Sequence, residues 1–355
     1  MPKVLMKGNE AIAESAIRCG CKHYFGYPIT PQTEIAEYMA KRMPKVGGLC
    51  LQAESEIAAI NMVLGAAASG VRAMTSSSSP GISLKTEGIS YMVGSDLPCL
   101  ILNVQRGGPG LGGIQPAQSD YYQATKAMGH GDLHLVVYAP STIQEIVTLT
   151  KKAFDVGDKY RMPVMILTDG ALGQMMEPVD FDGINADDLI EKPWAACGHG
   201  DKRKKNIINS LYIEPENLEK IVLERYKRYE EIEKNEILYD EYMTGDDAEI
   251  IIVAYGIAAR ICKSAVAMAR KNNIKAGMIR PVSLWPYPSE ALLKLAQKET
   301  VKHFLVSELN MGQMTNDVKV AVNCSKPVSF YGRTGGVLPA PEEIMKEIVK
   351  IKGGI

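Results

Sequence analysis

The chain has 355 residues, which at roughly 150 residues per domain implies two domains and a connector. Hydrophobic residues make up 46% and charged residues 23%, so a full apolar core is available and intrinsic disorder is excluded. With 40 Lys and Arg against 41 Asp and Glu the formal charge is −1, which leaves no global basic field for a dedicated nucleic-acid binder.

Residues 1–10 hold no apolar stretch of signal-peptide length, and no later segment approaches the ~20 apolar residues that cross a bilayer, so no membrane contact and a cytoplasmic location are expected. Asn9 is read as the N-cap of a first helix that Gly20 ends. A short strand follows at His23 to Tyr27, then a helix from about Pro31 to Met43 and a strand at Gly48 to Gln52. An Ala-rich helix over about 55–69, a strand near Val71 to Met74, a helix over about 82–93 and a buried strand at Pro98 to Val104 come next. Beyond a Gly-rich loop lie a strand at Leu133 to Tyr138, a helix at Ser141 to Val156 capped by Ser141, and a strand at Pro163 to Leu167. Apolar runs of four to seven residues separated by helix-length segments predict a doubly wound, mostly parallel sheet covered on both faces.

Residues 179–246 read as a connector, polar and turn-rich from Asp180 to Asp188 and then a charge-dense helix from Glu216 to Glu236. That helix carries Leu218, Val222, Tyr226, Tyr229 and Ile232 on one stripe. A second α/β unit, 247–355, opens on a strand at Glu249 to Gly256 and an Ala-rich helix to Asn272. A strand near Ala276 to Ile279 leads through Arg280-Pro281 into a Pro-punctuated turn. The chain then gives a helix from about Ser289, a strand at His303 to Ser307 and a closing helix after Pro341.

The seven cysteines are odd in number and scattered, which suits reduced thiols, and the lone Cys19-Gly20-Cys21 pair cannot supply four thiolates for a cluster or a structural zinc. No metal site is expected in this chain. The five histidines lack converging spacing, His130 with Asp132 included, and read as structural or surface residues. The 18 methionines read as core filler.

Ligands of doubly wound sheets sit beyond the carboxyl ends of the strands, so the informative residues lie in four loops: Gly26 to Pro31, Gln52 to Glu56, Thr75 to Gly81, and Gln105 to Gly113. The last contains a decoy, because Gly108, Gly110 and Gly113 satisfy the spacing of a dinucleotide-binding turn. It follows a late strand, Ile114-Gln115-Pro116 blocks immediate entry into a helix, and no acidic residue ends a strand ~20 residues on. A nicotinamide-linked dehydrogenase is therefore disfavoured, and no P-loop pattern occurs. Glu54 and Glu56 open the Ala-rich helix, where the helix dipole attracts carboxylates whether or not a ligand is present. Arg106 among glycines suits either a turn or a clamp on a carboxylate or phosphate.

Taken together the four loops are more specific. Tyr27-Pro28-Ile29-Thr30-Pro31, Glu54-Ser55-Glu56-Ile57-Ala58-Ala59-Ile60, Thr75-Ser76-Ser77-Ser78-Ser79-Pro80-Gly81 and Asn103-Val104-Gln105-Arg106-Gly107-Gly108-Pro109 resemble, in order and spacing, the alpha subunit of the 2-oxoacid:ferredoxin oxidoreductases. The resemblance continues through Arg280-Pro281-Val282-Ser283-Leu284-Trp285-Pro286 and Val306-Ser307-Glu308-Leu309-Asn310-Met311-Gly312-Gln313. It covers about 5–170 and 246–355 and is weakest in the connector.

That resemblance implies a pyrimidine-binding domain of a thiamine diphosphate enzyme at 1–178 and a transketolase C-terminal-like α/β domain at 247–355. Glu56 matches the glutamate at the aminopyrimidine ring, Thr30 the threonine that hydrogen-bonds substrate, and Arg106 the arginine that holds the 2-oxoacid carboxylate. Tyr27, Pro28, Ile29, Ser79 and Gly81 are implied to line the cofactor. No glycine-aspartate-glycine run with a following asparagine is present for a magnesium–diphosphate site, since Asp169-Gly170 lacks both the leading glycine and the partner. The resemblance therefore implies a diphosphate-binding beta subunit with Mg2+, a gamma subunit, a ferredoxin-like delta subunit with [4Fe-4S] clusters, external ferredoxin and coenzyme A as co-substrate. The run from Arg106 to Pro116, with Gln118-Ser119-Asp120-Tyr121-Tyr122-Gln123-Ala124, looks like the branched-chain members that act on 3-methyl-2-oxobutanoate. An apolar loop suits an isopropyl group, whereas 2-oxoglutarate, the alternative, wants a further cation. A non-catalytic assembly subunit is the alternative of another class; retention of Glu56, Arg106 and Thr30 argues against it.

Overall fold

The computed structural model describes residues 3–187, 189–200 and 202–354; Asp188, where the polar turn-rich stretch is expected to end, lies outside them. In chain order the first half comprises β1 (Val4–Lys7), α1 (Gly8–Arg18), β2 (His23–Gly26), α2 (Thr33–Arg42), β3 (Leu49–Gln52), α3 (Glu56–Ala68), β4 (Ala73–Ser77) and α4 (Ser79–Gly94). It continues with β5 (Cys99–Gln105), α5 (Tyr121–Thr125), β6 (Val136–Tyr138), α6 (Ile143–Tyr160), β7 (Pro163–Asp169), α7 (Gly170–Gln174) and β8 (Met176–Val179). Then come α8 (Pro215–Asn235), β9 (Tyr239–Tyr242), β10 (Ile250–Val253), α9 (Gly256–Lys271), β11 (Ala276–Pro281) and β12 (Ser283–Trp285). The last elements are α10 (Ser289–Gln297), β13 (His303–Glu308), α11 (Met314–Ala321), β14 (Val328–Gly332) and α12 (Pro341–Gly354).

Two sheets organise these elements. The first has seven strands in the order β12-β6-β7-β5-β4-β2-β3, parallel except for β12. Its central strands β5 and β7 are buried at all seven of their residues, as continuous apolar runs in a doubly covered parallel sheet require. The second has five strands in the order β14-β13-β10-β11-β9, with β9 alone antiparallel. This is the α/β architecture that the alternating pattern predicts.

Several local expectations are corrected. The first helix starts at Gly8, one residue ahead of Asn9, whose amide instead bonds the Pro31 carbonyl (2.8 Å) and Glu34 (2.9 Å). The cap of α6 is Thr142, whose hydroxyl accepts from the Glu145 amide, while Ser141 N–H and Oγ–H both donate to the Glu145 carboxylate. Strand β4 begins two residues later than expected and runs to Ser77, and α4 starts at Ser79 rather than near 82, with Pro80 in its first turn where a missing N–H costs nothing. The strand expected from Leu133 shrinks to Val136–Tyr138. Val4–Lys7 and Met176–Val179 form a small antiparallel ribbon with no forecast.

One correction concerns how the halves join. Ser283–Trp285, expected as a turn, is an edge strand of the first sheet paired antiparallel to β6. The charged helix α8 docks on the first unit: Arg225 and Arg228 bond Asp96, and Tyr229 packs edge-on against Trp285 and His134. Of its expected apolar stripe, Tyr229 and Ile232 are buried while Leu218 and Tyr226 are exposed. No helix among the described residues is long and apolar enough to cross a membrane. All seven cysteines are free, Cys19 and Cys21 among the buried ones.

Candidate functional site

The loops singled out in the sequence leave the carboxyl ends of β2, β3, β4 and β5, four strands that lie at one side of the seven-stranded sheet. Ser55 caps α3 by accepting from the Ala58 amide at 3.2 Å, which sets Glu56 as the first helical residue. The residue is 7% exposed, and its carboxylate makes no hydrogen bond among the described residues.

The opposite wall is the start of α4. Gly81 faces Glu56 so closely that a Cβ there would lie 2.7 Å from Glu56 Oε1 and 2.1 Å from Ser77 Oγ. The hydroxyls of Ser77 and Ser78 are also buried and unpaired. Glycine is thus favoured by approach rather than by backbone angle, and Gly81→Ala requires the Ser77 hydroxyl and the Glu56 carboxylate to shift. That substitution is expected to lower stability by about 1–3 kcal/mol through overpacking. Chemical denaturation checks the cost.

Ser79 links this wall to the fourth loop. The Arg106 N–H donates to Ser79 Oγ at 3.1 Å, and Ser79 Oγ–H donates to Asp120 Oδ2 at 2.6 Å. Asn103 joins from β5, its Nδ2 donating to the same Asp120 oxygen at 2.9 Å and its Oδ1 accepting from Ser79 N at 3.1 Å. Burial pushes the Asp120 carboxyl above the usual carboxylate range, and the bonds from Ser79 and Asn103 pull it back. Asp120 was not singled out by sequence reasoning as a site residue, although its segment carried the subfamily resemblance.

Arg106 is 7% exposed and ties two loops together: Nη1 donates to the Thr30 carbonyl at 2.9 Å and Nη2 to the Leu111 carbonyl at 3.1 Å. Two of its five N–H donors are thereby used, and Nε–H is buried with no partner. The glycine loop beyond it turns back on itself, Gly113 N–H donating to the Gly107 carbonyl and Arg106 bridging Pro116. Gly112 sits at φ +58° with its missing Cβ 1.9 Å from that carbonyl, so this turn admits only glycine. No helix follows, which removes the structural basis of a dinucleotide turn.

Tyr27 and Pro28 are exposed, Ile29 is half-buried and Thr30 is exposed. Gln32, unnoticed in the sequence, anchors their loop by donating to the Tyr27 carbonyl at 3.2 Å and accepting from Ser76 Oγ at 2.5 Å. A cleft of about 440 Å³ lined by Tyr24, Gly26, Tyr27, Pro28, Cys50 and Gln52 opens beside it. The structure thus brings Thr30, Arg106, Ser79, Gly81 and Glu56 into one connected chain of contacts, with Glu54 at the solvent edge.

Other candidates fall elsewhere. Asp169 caps α7 through the Ala171 and Leu172 amides, and burial pushes its carboxyl up to about 6. His134 stacks on Trp285 at 4.7 Å. Among the described residues no group of three or more His, Cys, Asp or Glu converges on a metal position.

The unpaired Glu56 carboxylate, the unpaired serine hydroxyls and the glycine gap between them fit a flat heterocycle that offers both donor and acceptor nitrogens, as an aminopyrimidine does. Fold and site define an α/β chain of the thiamine-diphosphate-binding class. A family model described as pyruvate flavodoxin/ferredoxin oxidoreductase, thiamine diphosphate-binding, matches residues 14–242, and one described as pyruvate:ferredoxin oxidoreductase core domain II matches residues 248–344. The ketoisovalerate oxidoreductase subunit VorB of Methanothermobacter marburgensis is 45% identical, covering 99% of each chain. The 2-oxoglutarate synthase subunit KorA of Methanocaldococcus jannaschii is 35% identical over 97% of this chain and 98% of its own. The chain belongs to the 2-oxoacid:ferredoxin oxidoreductase family, as an alpha-type subunit.

Among solved structures, the 2-oxoglutarate:ferredoxin oxidoreductase from Magnetococcus marinus, with 2-oxoglutarate, coenzyme A and succinyl-CoA bound, superposes with a TM-score of 0.87 at 26% identity. The match covers 98% of this chain and 65% of that one, so the chain spans just under two thirds of that polypeptide. A split-gene transketolase, an inactive beta4 tetramer, shares the fold at a TM-score of 0.60 and 14% identity.

Proposed function

We propose that this chain is the pyrimidine-binding subunit of a complex that oxidatively decarboxylates 3-methyl-2-oxobutanoate to an acyl-coenzyme A and carbon dioxide while reducing ferredoxin. The observation that carries the substrate is the end-to-end 45% identity with a ketoisovalerate oxidoreductase subunit. The apolar tip of the Arg106 loop supports it, with Leu111 84% and Ile114 56% exposed and no second cation within the loop to match a further carboxylate.

When bound, thiamine diphosphate supplies a nucleophilic carbon and the electron sink for loss of carbon dioxide. Glu56 would hold and move a proton at a ring nitrogen of the bound cofactor. Arg106 takes the substrate carboxylate on the donors it has left over, and Thr30 offers its hydroxyl, so the leaving group is oriented before it departs. Tyr27, Pro28, Ile29, Ser79 and Gly81 shape the ring's seat.

The chain supports half of a site. Helix α3 is mostly apolar, yet Ile57 and Met62 are exposed on it, and Leu84 and Tyr91 are exposed on α4 beside it. Exposed apolar side chains grouped in this way mark an interaction face. A diphosphate-binding beta subunit carrying Mg2+ is the cover we assign, with gamma and ferredoxin-like delta subunits bringing the [4Fe-4S] path to external ferredoxin, all in the cytoplasm. We further assign residues 1–178 to the pyrimidine-binding domain, 179–246 to a connector docked on it, and 247–355 to the transketolase C-terminal-like domain.

Reconstitution with the partner chains and assay of a panel of 2-oxoacids tests the reading. Highest kcat/KM on 3-methyl-2-oxobutanoate is expected. Preference for 2-oxoglutarate overturns the substrate, and no decarboxylation of any 2-oxoacid by a complete complex favours a non-catalytic assembly role.

A further inference from the structure

Open α/β sheets bind ligands in the crevice beyond the carboxyl ends of their strands, where the strand order reverses. In the second sheet the chain passes from β10 to β11 on one side and later to β13 on the other, so that crevice lies between β10 and β13. It is filled by Gln118, which lies just beyond the Arg106 loop of the first sheet. Gln118 Nε2 donates to the Tyr255 carbonyl beyond β10 at 2.8 Å, and Gln118 Oε1 accepts from the Leu309 amide beyond β13 at 3.0 Å. Its backbone is taken in the same way. The Gln118 N–H donates to the Leu309 carbonyl at 3.0 Å, and its carbonyl accepts from Asn310 Nδ2 at 2.7 Å and from the Tyr255 hydroxyl at 3.1 Å. Gln118 is 1% exposed, and every polar group it has is bonded to the second unit. Gly256 opens α9 at φ +54°, and a Cβ there would lie 2.9 Å from Gln118 Nε2, so the crevice is shaped to this side chain.

The grip continues along the segment. Gln313 bridges the Ser119 carbonyl and the Tyr122 amide, each at 2.8 Å, and the Tyr121 hydroxyl donates to Asp317 Oδ2 at 2.5 Å. The buried Glu308 carboxylate accepts from the Met314 and Thr315 amides and from Asn310 Nδ2, which fixes the segment that does the holding. Asp120 lies in the middle of what is held. Its carboxylate takes the Ser79 hydroxyl and Asn103 Nδ2, and Ser79 Oγ takes the Arg106 N–H. Two residues ahead of Gln118, Pro116 pairs with Arg106 across the neck of the glycine loop, and the Gly107 N–H donates to the Gln115 carbonyl at 3.0 Å. Gly336, in the loop after β14, is so close to this neck that a Cβ would lie 2.2 Å from Gln115 Cβ. Arg106 is therefore anchored from β5 at one end of its loop and from the crevice of the second sheet at the other.

We propose that Gln118 is a positioning residue for the substrate: seated in the crevice of the second sheet, it fixes where Arg106 presents its guanidinium, on the reading that Arg106 holds the 2-oxoacid carboxylate. A buried side-chain amide answered at both ends resists displacement, because moving it leaves buried donors and acceptors unpaired on both sides. A loop pinned at both sides of its neck holds the Arg106 fork in one place before substrate arrives, and a misplacement of about 1 Å costs about 10²-fold in rate. The second unit thereby acts on the reaction without touching the substrate.

The test uses the reconstituted complex with wild-type, Gln118→Met, Arg106→Ala and doubly substituted chains. Methionine keeps the length of the side chain and removes both of its bonds to the second unit. For Gln118→Met, kcat/KM for the 2-oxoacid is expected to fall by about 10- to 100-fold, with the rise in KM exceeding the fall in kcat. On the Arg106→Ala background the same change should lower kcat/KM by no more than about twofold, since the group it positions is already gone. Hydrogen exchange of the substrate-free complex should show the Arg106, Gly107 and Gly113 amides losing protection in Gln118→Met. A KM within about twofold of wild type, unaltered protection of those amides, or losses that multiply in the double variant each overturn the proposal. If Gln118→Met does not assemble, Gln313→Met, which frees Ser119 and Tyr122 from a half-buried position, carries the same expectation. The two readings fail separately. An unchanged KM in Arg106→Ala removes the substrate arginine and the task of Gln118 with it, whereas a steep rise in Arg106→Ala beside an unchanged KM in Gln118→Met removes Gln118 alone.

Discussion

Glu56→Gln is expected to lower turnover of the assembled complex by about 10²- to 10⁴-fold, the range for losing a positioned proton-transfer group. The substitution is chosen for what it leaves in place. Glutamine has the same reach, so the gap opposite Gly81 stays filled, and the Ser55 cap that sets the start of α3 is a hydroxyl-to-backbone bond that the change does not touch. Removing a carboxylate from the first turn of a helix forfeits about 0.3–1 kcal/mol of dipole interaction, far less than a domain's total stability. Assembly, followed by gel filtration with the partner chains, should therefore be unchanged, and thiamine diphosphate should still bind. What is lost is an ionisable oxygen at the ring. Turnover within a few fold of wild type would show that the proton is managed elsewhere and would leave the unpaired Glu56 carboxylate without a chemical account.

The loops that frame the candidate site were legible because their signals are local. Ser55 before an Ala-rich run, glycines after β5 and Pro31 after Thr30 are signals carried within a few residues, and each sits where its loop needs it. The fully apolar strands β5 and β7 were legible for the same reason. The burial of Lys85 on α4 was not. A lysine in a helix ordinarily marks a solvated face, and only the close approach of Gly81 and Gly88 to α3 turns that position inward. Ser283–Trp285 was misread because Pro281 and Pro286 flank it, and prolines are tolerated at a sheet edge, which is where tertiary pairing with β6 puts it. The ribbon of β1 and β8 joins segments some 170 residues apart, a pairing no local signal encodes. For α6 the cap was misplaced by one residue because Ser141 and Thr142 are both competent and Glu145 serves both.

The second large effect is expected at Arg106. Hydrogen bonds to a charged group contribute about 1.5–3 kcal/mol each, so losing a two-point grip on a carboxylate should lower kcat/KM by about 10²-fold or more. If the grip is made equally in the ground and transition states, the loss falls mainly on KM, and Arg106→Ala should raise KM for the 2-oxoacid steeply while kcat changes less. The structure adds a second consequence. Arg106 also holds the Thr30 and Leu111 carbonyls, so alanine frees both loops of the proposed substrate site, and some loss of kcat should accompany the rise in KM. Arg106→Lys separates the two contributions. An ammonium restores the charge without the planar fork that reaches both carbonyls, so it should recover part of the substrate affinity and little of the loop order. Steady-state kinetics on the reconstituted complex reads the split, and limited proteolysis within residues 107–116 reads the loop. A KM unchanged in Arg106→Ala would place the substrate carboxylate elsewhere and leave the guanidinium a purely structural strap between β5 and the loop after β2.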